Sequence, residues 1–117
     1  MKYYLFFIVI TALLVLSSCQ QTSPETIAFA KCLTEKEAKM FGAYWCPHCQ
    51  RQKKMFDGAF KEITYIECSL PGGQGQTEIC QQAGIESYPT WEFANGERRT
   101  GELSFEQLAT QTGCIAP

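Results

Sequence analysis

The chain of 117 residues has one histidine, His48, and no apolar run long enough to cross a bilayer comfortably. The longest such stretch, Tyr3 to Leu16, has fourteen residues, whereas a spanning helix needs about 20. The lone histidine and the twelve-residue spacing of Cys68 and Cys80 leave no second ligand pair of the kind a structural zinc site uses. Clustered positive charge is also missing. With 10 Lys and Arg against 12 Asp and Glu, nothing points to nucleic acid, whose binders concentrate basic residues. There are no internal repeats, and the length allows one small domain with a single core.

What the chain does have is seven cysteines and an address. Lys2 supplies a positive start, Tyr3 to Leu16 is apolar, and Ser17-Ser18-Cys19 closes the segment with small residues. That order reads as a secretory signal over residues 1–18. Leu16-Ser17-Ser18-Cys19 resembles the lipobox of bacterial lipoproteins, in which the cysteine is diacylated and becomes the new N-terminus. The resemblance implies lipidation at Cys19, a tether over residues 19–26 and a folded domain over residues 27–117. That domain would be held on a bacterial membrane, facing the periplasm or the cell exterior. An ordinary signal with an incidental cysteine and an uncleaved anchor are the alternatives. Without Lys2 the mature chain carries 9 basic and 12 acidic residues, a charge of about −3.

Export places the remaining six cysteines where disulfides persist. An even set of Cys32, Cys46, Cys49, Cys68, Cys80 and Cys114 suggests pairs, with 15 connectivities, or three once Cys46–Cys49 is set aside. Cys68–Cys80, closing a short local loop, with Cys32–Cys114, joining the two ends of the domain, is the preferred arrangement. The other pairings stay open. A second redox relay through Cys68 and Cys80 is the sharper alternative to a structural bridge, but neither has the helix-start placement that tunes a thiolate.

The coarse element order is helix, strand, helix, strand, helix, strand, strand, helix. Ser23-Pro24 fits an N-cap and first helical residue, with Ile27, Ala30 and Leu33 on one face to about Lys36. Thr34-Glu35-Lys36-Glu37 offers a later capping box as the alternative start. Lys39 to Tyr44 reads as a buried strand, and a helix follows from Pro47 to about Asp57, ended by Gly58. Ile63 to Glu67 alternates, with Ile63, Tyr65 and Glu67 on one side and Thr64 and Ile66 on the other. Pro71 to Gly75 is a loop, and Gln76 to Ala83 a helix closed by Gly84. Thr90 to Phe93 and Glu97 to Thr100 flank Asn95-Gly96, a strong hairpin signal. Ser104 to Gln107 is a capping box for a last helix to Gly113. This order predicts an α/β sandwich, a mixed sheet with helices on both faces. Trp91 and Phe93 are expected to pack against the sheet, and Arg51, Lys53 and Lys54 to form a solvated helix face.

Cys46-Pro47-His48-Cys49 combines a strand ending in an aromatic with Cys-X-X-Cys opening a helix. The free N–H groups and dipole of a helix start favour negative charge, and the thiolate is the attacking form of cysteine. Cys46 is therefore the expected nucleophile. Cys49, one turn on, is the expected resolving thiol.

Trp45-Cys46-Pro47-His48-Cys49 resembles the active site of the thioredoxin superfamily, and Tyr88-Pro89-Thr90 resembles its cis-proline loop, 43 residues beyond Cys46. The resemblance covers roughly Ile27 to Cys114. It implies that Trp45, Tyr88, Pro89 and Thr90 contact substrate, that Pro47 and His48 tune the cysteines, and that no metal or organic cofactor takes part. Met40 stands where many thioredoxins have a buried carboxylate, six residues before the first cysteine, so a thioredoxin-like proton relay to Cys49 does not carry over. Ala30 to Lys36, Gly42 to Cys49, Glu67-Cys68-Ser69 and Tyr88 to Trp91 further resemble the thioredoxin-like partner of bacterial vitamin K epoxide reductase homologues. That resemblance implies an envelope enzyme that oxidises thiol-containing exported proteins and passes the electrons through a membrane partner to quinone. His48 agrees, since a positive charge beside Cys46 makes a disulfide more oxidising. The periplasmic oxidase DsbA has the same Pro-His dipeptide, with a potential of about −120 mV against about −270 mV for thioredoxin. An envelope thiol reductase is the rival within this chemistry. A copper(I)- or zinc-binding lipoprotein using Cys46, His48 and Cys49 is the rival outside it.

Overall fold

In the computed structural model of the protein, residues 21–117 are described. The signal segment, the lipobox and Cys19 lie outside them. Ser23 starts the first helix, α1 (Pro24–Glu35), its hydroxyl accepting the Thr26 N–H at 3.2 Å. Proline at the first position costs the helix no hydrogen bond. Phe29, Ala30 and Leu33 are buried on one face. The helix ends at Glu35, so the capping box at Thr34 starts nothing.

Strand β1 (Lys39–Gly42) stops two residues short of the expected Tyr44, because the Tyr44 N–H turns to the Glu67 carboxylate. Helix α2 (Pro47–Phe56) follows. Asp57, not Gly58, takes the positive φ that ends it, and a 3-10 turn then runs over Asp57–Glu62. Strand β2 (Thr64–Glu67) leads to a 3-10 turn at Pro71–Gly73. Helix α3 (Glu78–Gln82) is shorter than the expected Gln76 to Ala83, since Gln76 bridges Ser69 and the Thr77 N–H bonds to the Cys68 carbonyl. The hairpin of β3 (Thr90–Glu92) and β4 (Arg98–Thr100) turns at Asn95-Gly96, where Asn95 accepts the Glu97 N–H and Gly96 has a positive φ. Helix α4 (Phe105–Thr112) has the Ser104–Gln107 capping box and a left-handed Gly113 at its end.

The strand order is β2-β1-β3-β4, with β1 and β2 parallel and the other pairs antiparallel. Successive residues of a strand face opposite ways, and β1 shows both cores. Met40 points into a cluster with Phe29, Leu33, Phe56, Trp91 and Leu108, drawn from α1, α2, β3 and α4. Phe41 points the other way, to Cys68, Cys80 and Ile85. This is the expected α/β sandwich with a mixed sheet and helices on both faces. Trp91 and Phe93 are buried in the larger core.

One polar side chain is locked inside that core. Gln52 of α2 is fully buried; its Oε1 accepts from Trp91 Nε1 at 3.2 Å and from the Leu103 N–H at 2.7 Å, and its Nε2 donates to the Leu103 carbonyl at 3.0 Å. Two disulfides complete the frame. Cys32–Cys114 ties α1 to the segment after α4, and Cys68–Cys80 ties the end of β2 to α3.

Candidate active site

Among the described residues the two other cysteines, Cys46 and Cys49, are free thiols. The turn after β1 makes Cys46 the N-cap of α2 and Pro47 its first residue. Cys46 does not cap the helix with its sulfur. Its thiol instead donates to the Tyr88 carbonyl at 3.6 Å, 42 residues away. Tyr88–Pro89 is a cis peptide bond, and Pro89 is fully buried beside it. Thr90 is buried, its hydroxyl donating to the Ser87 carbonyl at 2.8 Å, which shapes the turn rather than facing solvent. The structure thus brings Cys46, Tyr88 and Pro89 together.

Trp45 and Tyr44 stand beside Cys46, each about half exposed. The Trp45 ring meets Tyr88 edge-on at 6.0 Å. Both aromatics are braced from the loop that Cys68–Cys80 closes. Trp45 Nε1 donates to Ser69 Oγ at 2.8 Å, and the Tyr88 hydroxyl accepts from Gln76 Nε2 at 2.7 Å. A Cβ at Gly73 would touch Trp45 at 3.6 Å, and Gly73 has φ +69°, so this backbone lies flat against the indole. Cys68 and Cys80 themselves are fully buried.

His48 is exposed on the first turn of α2. Its Nδ1 lies 2.8 Å from Glu102 Oε2 and 2.8 Å from Arg51 Nη2. A protonated Nδ1 donates to Glu102; a bare one accepts from Arg51. The hydrogen bonds from His48 and then Arg51 hold the Glu102 carboxyl below its ordinary range. Cys49, one turn further, is fully buried. Burial first, then the neighbouring Cys46 thiol, push its pKa up to about 12, against the backbone hydrogen bond at Ala43 and the charge of Lys53. At neutral pH Cys49 is a thiol. Cys46 is also buried, at 6% exposure against none for Cys49, but it opens the helix beside the half-exposed Trp45 and Tyr44, with Cys49 one turn further in, an order that suits two-step thiol–disulfide exchange.

Sequence reading missed several residues around this centre. Gln76, Glu102 and Gln52 carry no local pattern that marks them, and Ser69 stands only at the end of the Glu67-Cys68-Ser69 run, with nothing there to show that it meets Trp45. Lys53 departs from the expected solvated face: it is half-buried, with its ammonium 3.9 Å from the centroid of the Tyr65 ring. Among the described residues no three His, Cys, Asp or Glu side chains converge as a metal-holding group. None of the described helices is long and apolar enough to cross a membrane.

This fold, with a Cys-X-X-Cys pair opening a helix against a cis-proline turn, is thioredoxin-like. Known proteins agree. Over 96 residues, 79% of the chain, it is 45% identical to the thiol-disulfide oxidoreductase LTO1 of Arabidopsis thaliana. Over 59 residues, 46% of the chain, it is 34% and 36% identical to protein disulfide-isomerase A5 of Bos taurus and Mus musculus. The chain spans a quarter of the length of LTO1 and 11% of each isomerase. No protein-family model matches it.

Proposed function

We propose that this chain is a lipid-anchored envelope enzyme that forms disulfides in exported proteins, using Cys46 as the exchanging sulfur and Cys49 as its partner. The observation that carries the exchange chemistry is the pairing of Cys46, at the start of α2 and 3.6 Å from the Tyr88 carbonyl, with a fully buried Cys49 one turn on. A substrate thiolate attacks Cys46 of the disulfide form, and the Cys46–Cys49 bond breaks with its electron pair going to Cys49. A second substrate thiolate then attacks the substrate sulfur of the mixed disulfide, closing the substrate disulfide and releasing Cys46 as a thiolate. Trp45, Tyr88 and the backbone at Pro89 bind the extended substrate, and Thr90 shapes that turn from inside.

The oxidising direction rests on His48 and on the resemblance to the partner of vitamin K epoxide reductase homologues. Such a membrane enzyme would reoxidise the pair and deliver two electrons to quinone, and a lipid on Cys19 would hold the domain beside it. The reduction potential of Cys46–Cys49, from equilibration with glutathione buffers, tests the direction. A value near about −120 mV supports the oxidase, and one near about −270 mV favours an envelope reductase. A pair that never cycles removes the redox reading. Metal retained through purification without thiol exchange would favour the copper or zinc reading.

A further inference from the structure

Three titratable groups, Lys53, Tyr65 and Glu67, cluster near Cys49. Lys53 follows Cys49 by four residues on α2 and so shares its face. Its ammonium lies 3.9 Å from the centroid of the Tyr65 ring and 5.5 Å from that of Phe60. The Tyr65 hydroxyl donates to Glu67 Oε2 at 2.7 Å. The other carboxylate oxygen accepts from the Tyr44 N–H at 3.2 Å and the Ser69 N–H at 2.9 Å, so both oxygens are fixed in place.

Gly42 brings this cluster to the thiol. A Cβ there would lie 3.0 Å from Cys49 Sγ, 3.2 Å from the Tyr65 hydroxyl and 2.9 Å from Tyr65 Cε2. Sulfur and hydroxyl thus converge on the spot a side chain at position 42 would fill. The parallel register of β1 and β2, with Met40 beside Tyr65 and Gly42 beside Glu67, sets this up. Met40 and Gly42 add no charge, so the ionisable groups facing Cys49 are Cys46, Lys53, Tyr65 and Glu67.

We propose that Tyr65 and Glu67 are the proton outlet of Cys49, and that Lys53 steadies the thiolate they leave behind. The proposal rests on the exchange reading above. Cys49 must lose its proton whenever it resolves a mixed disulfide at Cys46. In that step Cys49 Sγ bonds to Cys46 Sγ, and the Cys46–substrate bond breaks with its electron pair going to the substrate sulfur. The Cys49 proton passes to the Tyr65 oxygen as the Tyr65 proton passes to Glu67 Oε2, and Glu67 releases it to solvent. When Cys49 is instead the leaving group, the same path runs backwards. The burial that pushes Cys49 up to about 12 is the reason such an outlet is needed. Glu67 and Lys53 are positioning residues here, since neither touches the reacting sulfurs.

The test uses the full-length reduced chain and a symmetrical aromatic disulfide that gives a coloured thiolate at each step. Attack by Cys46 releases the first, and resolution by Cys49 releases the second. Glu67→Gln keeps acceptors for Tyr44 and Ser69, and Tyr65→Phe removes only the hydroxyl. Both are expected to slow the second release about tenfold or more relative to the first between pH 6 and 8. Lys53→Met is expected to move the rise of the second release to higher pH. The sign is diagnostic. A carboxylate that acted only as a nearby negative charge would, on removal, ease Cys49 ionisation and speed the step. A second release as fast as wild type, or faster, in both Glu67→Gln and Tyr65→Phe overturns the outlet. No coloured thiolate from the wild-type chain overturns the exchange reading itself.

Discussion

Trp45 and Ser69 are joined at 2.8 Å, the indole N–H donating to the serine hydroxyl, which in turn donates to the Leu70 carbonyl at 3.0 Å. Ser69 follows Cys68 directly, so the brace on Trp45 starts at a disulfide. Ser69→Ala should cost about 1 kcal/mol in denaturant unfolding and change the Trp45 fluorescence. Replacing Cys68 and Cys80 together by serine should cost about 3 kcal/mol, the entropy of a loop this short. It should also weaken substrate binding, seen as a raised KM. Wild-type KM in that double variant would show that bracing of Trp45 and Tyr88 by the loop does not matter to substrate.

Cys46→Ala should abolish exchange. Cys49→Ala should leave Cys46 linked to its substrate, and such adducts should appear on non-reducing gels of whole-cell extracts. A Cys49→Ala protein that collects no adduct would count against the two-cysteine mechanism.

Brief iodoacetamide treatment of the reduced protein at pH 7 to 8 should leave Cys49 unmodified, because its sulfur is buried and its thiol is held up to about 12. Mass mapping after tryptic digestion reads the result. The same shift sets a stability trend. The folded state binds the Cys49 proton more tightly than the unfolded chain, whose thiol titrates near 9.0. The reduced form therefore keeps this contribution below about pH 9 and loses it as pH rises toward 12. The Cys46–Cys49 disulfide form has no such proton and should not show the loss.

Gln52→Leu should destabilise the fold by about 3 kcal/mol or more, since it leaves the Trp91 N–H and both Leu103 backbone groups buried without partners. Equilibrium unfolding measures it. A neutral substitution would mean the core rearranges to reach water.

Glu92 is held below its ordinary range by its hydrogen bond to Lys39 and then by Arg98, at 2.9 and 2.6 Å. Its contribution is complete above the unfolded value of 4.5 and is lost as pH falls through the lower folded value. Glu92→Gln should cost about 1 kcal/mol at pH 7 and almost nothing at pH 2. Paired melts at the two pH values test this.

The features legible in the sequence are those written into neighbouring residues. Cys46, Pro47 and Cys49 stand within one turn, Asn95-Gly96 makes a hairpin by its own backbone preferences, and Ser104 with Gln107 caps α4. Gln52 reads as surface because Gln50-Arg51-Gln52-Lys53-Lys54 is polar throughout. Its burial depends on Trp91 and Leu103, 39 and 51 residues away. Glu102 reaches His48 across 54 residues, from a turn with no pattern of its own. Period-two alternation put Tyr65 and Glu67 on one side of β2. Only the register against β1, with a bare Gly42, shows that Cys49 lies beside them.

The Cys32–Cys114 bridge has a consequence for a molecule exposed to proteases. It encloses nearly the whole folded chain, and the exposed turn at Pro71–Gly73 lies inside the smaller Cys68–Cys80 ring as well. A single cut in that turn breaks the backbone and separates nothing, because two covalent ties still join the halves. Nicked protein would run as one species on a non-reducing gel and as two after reduction.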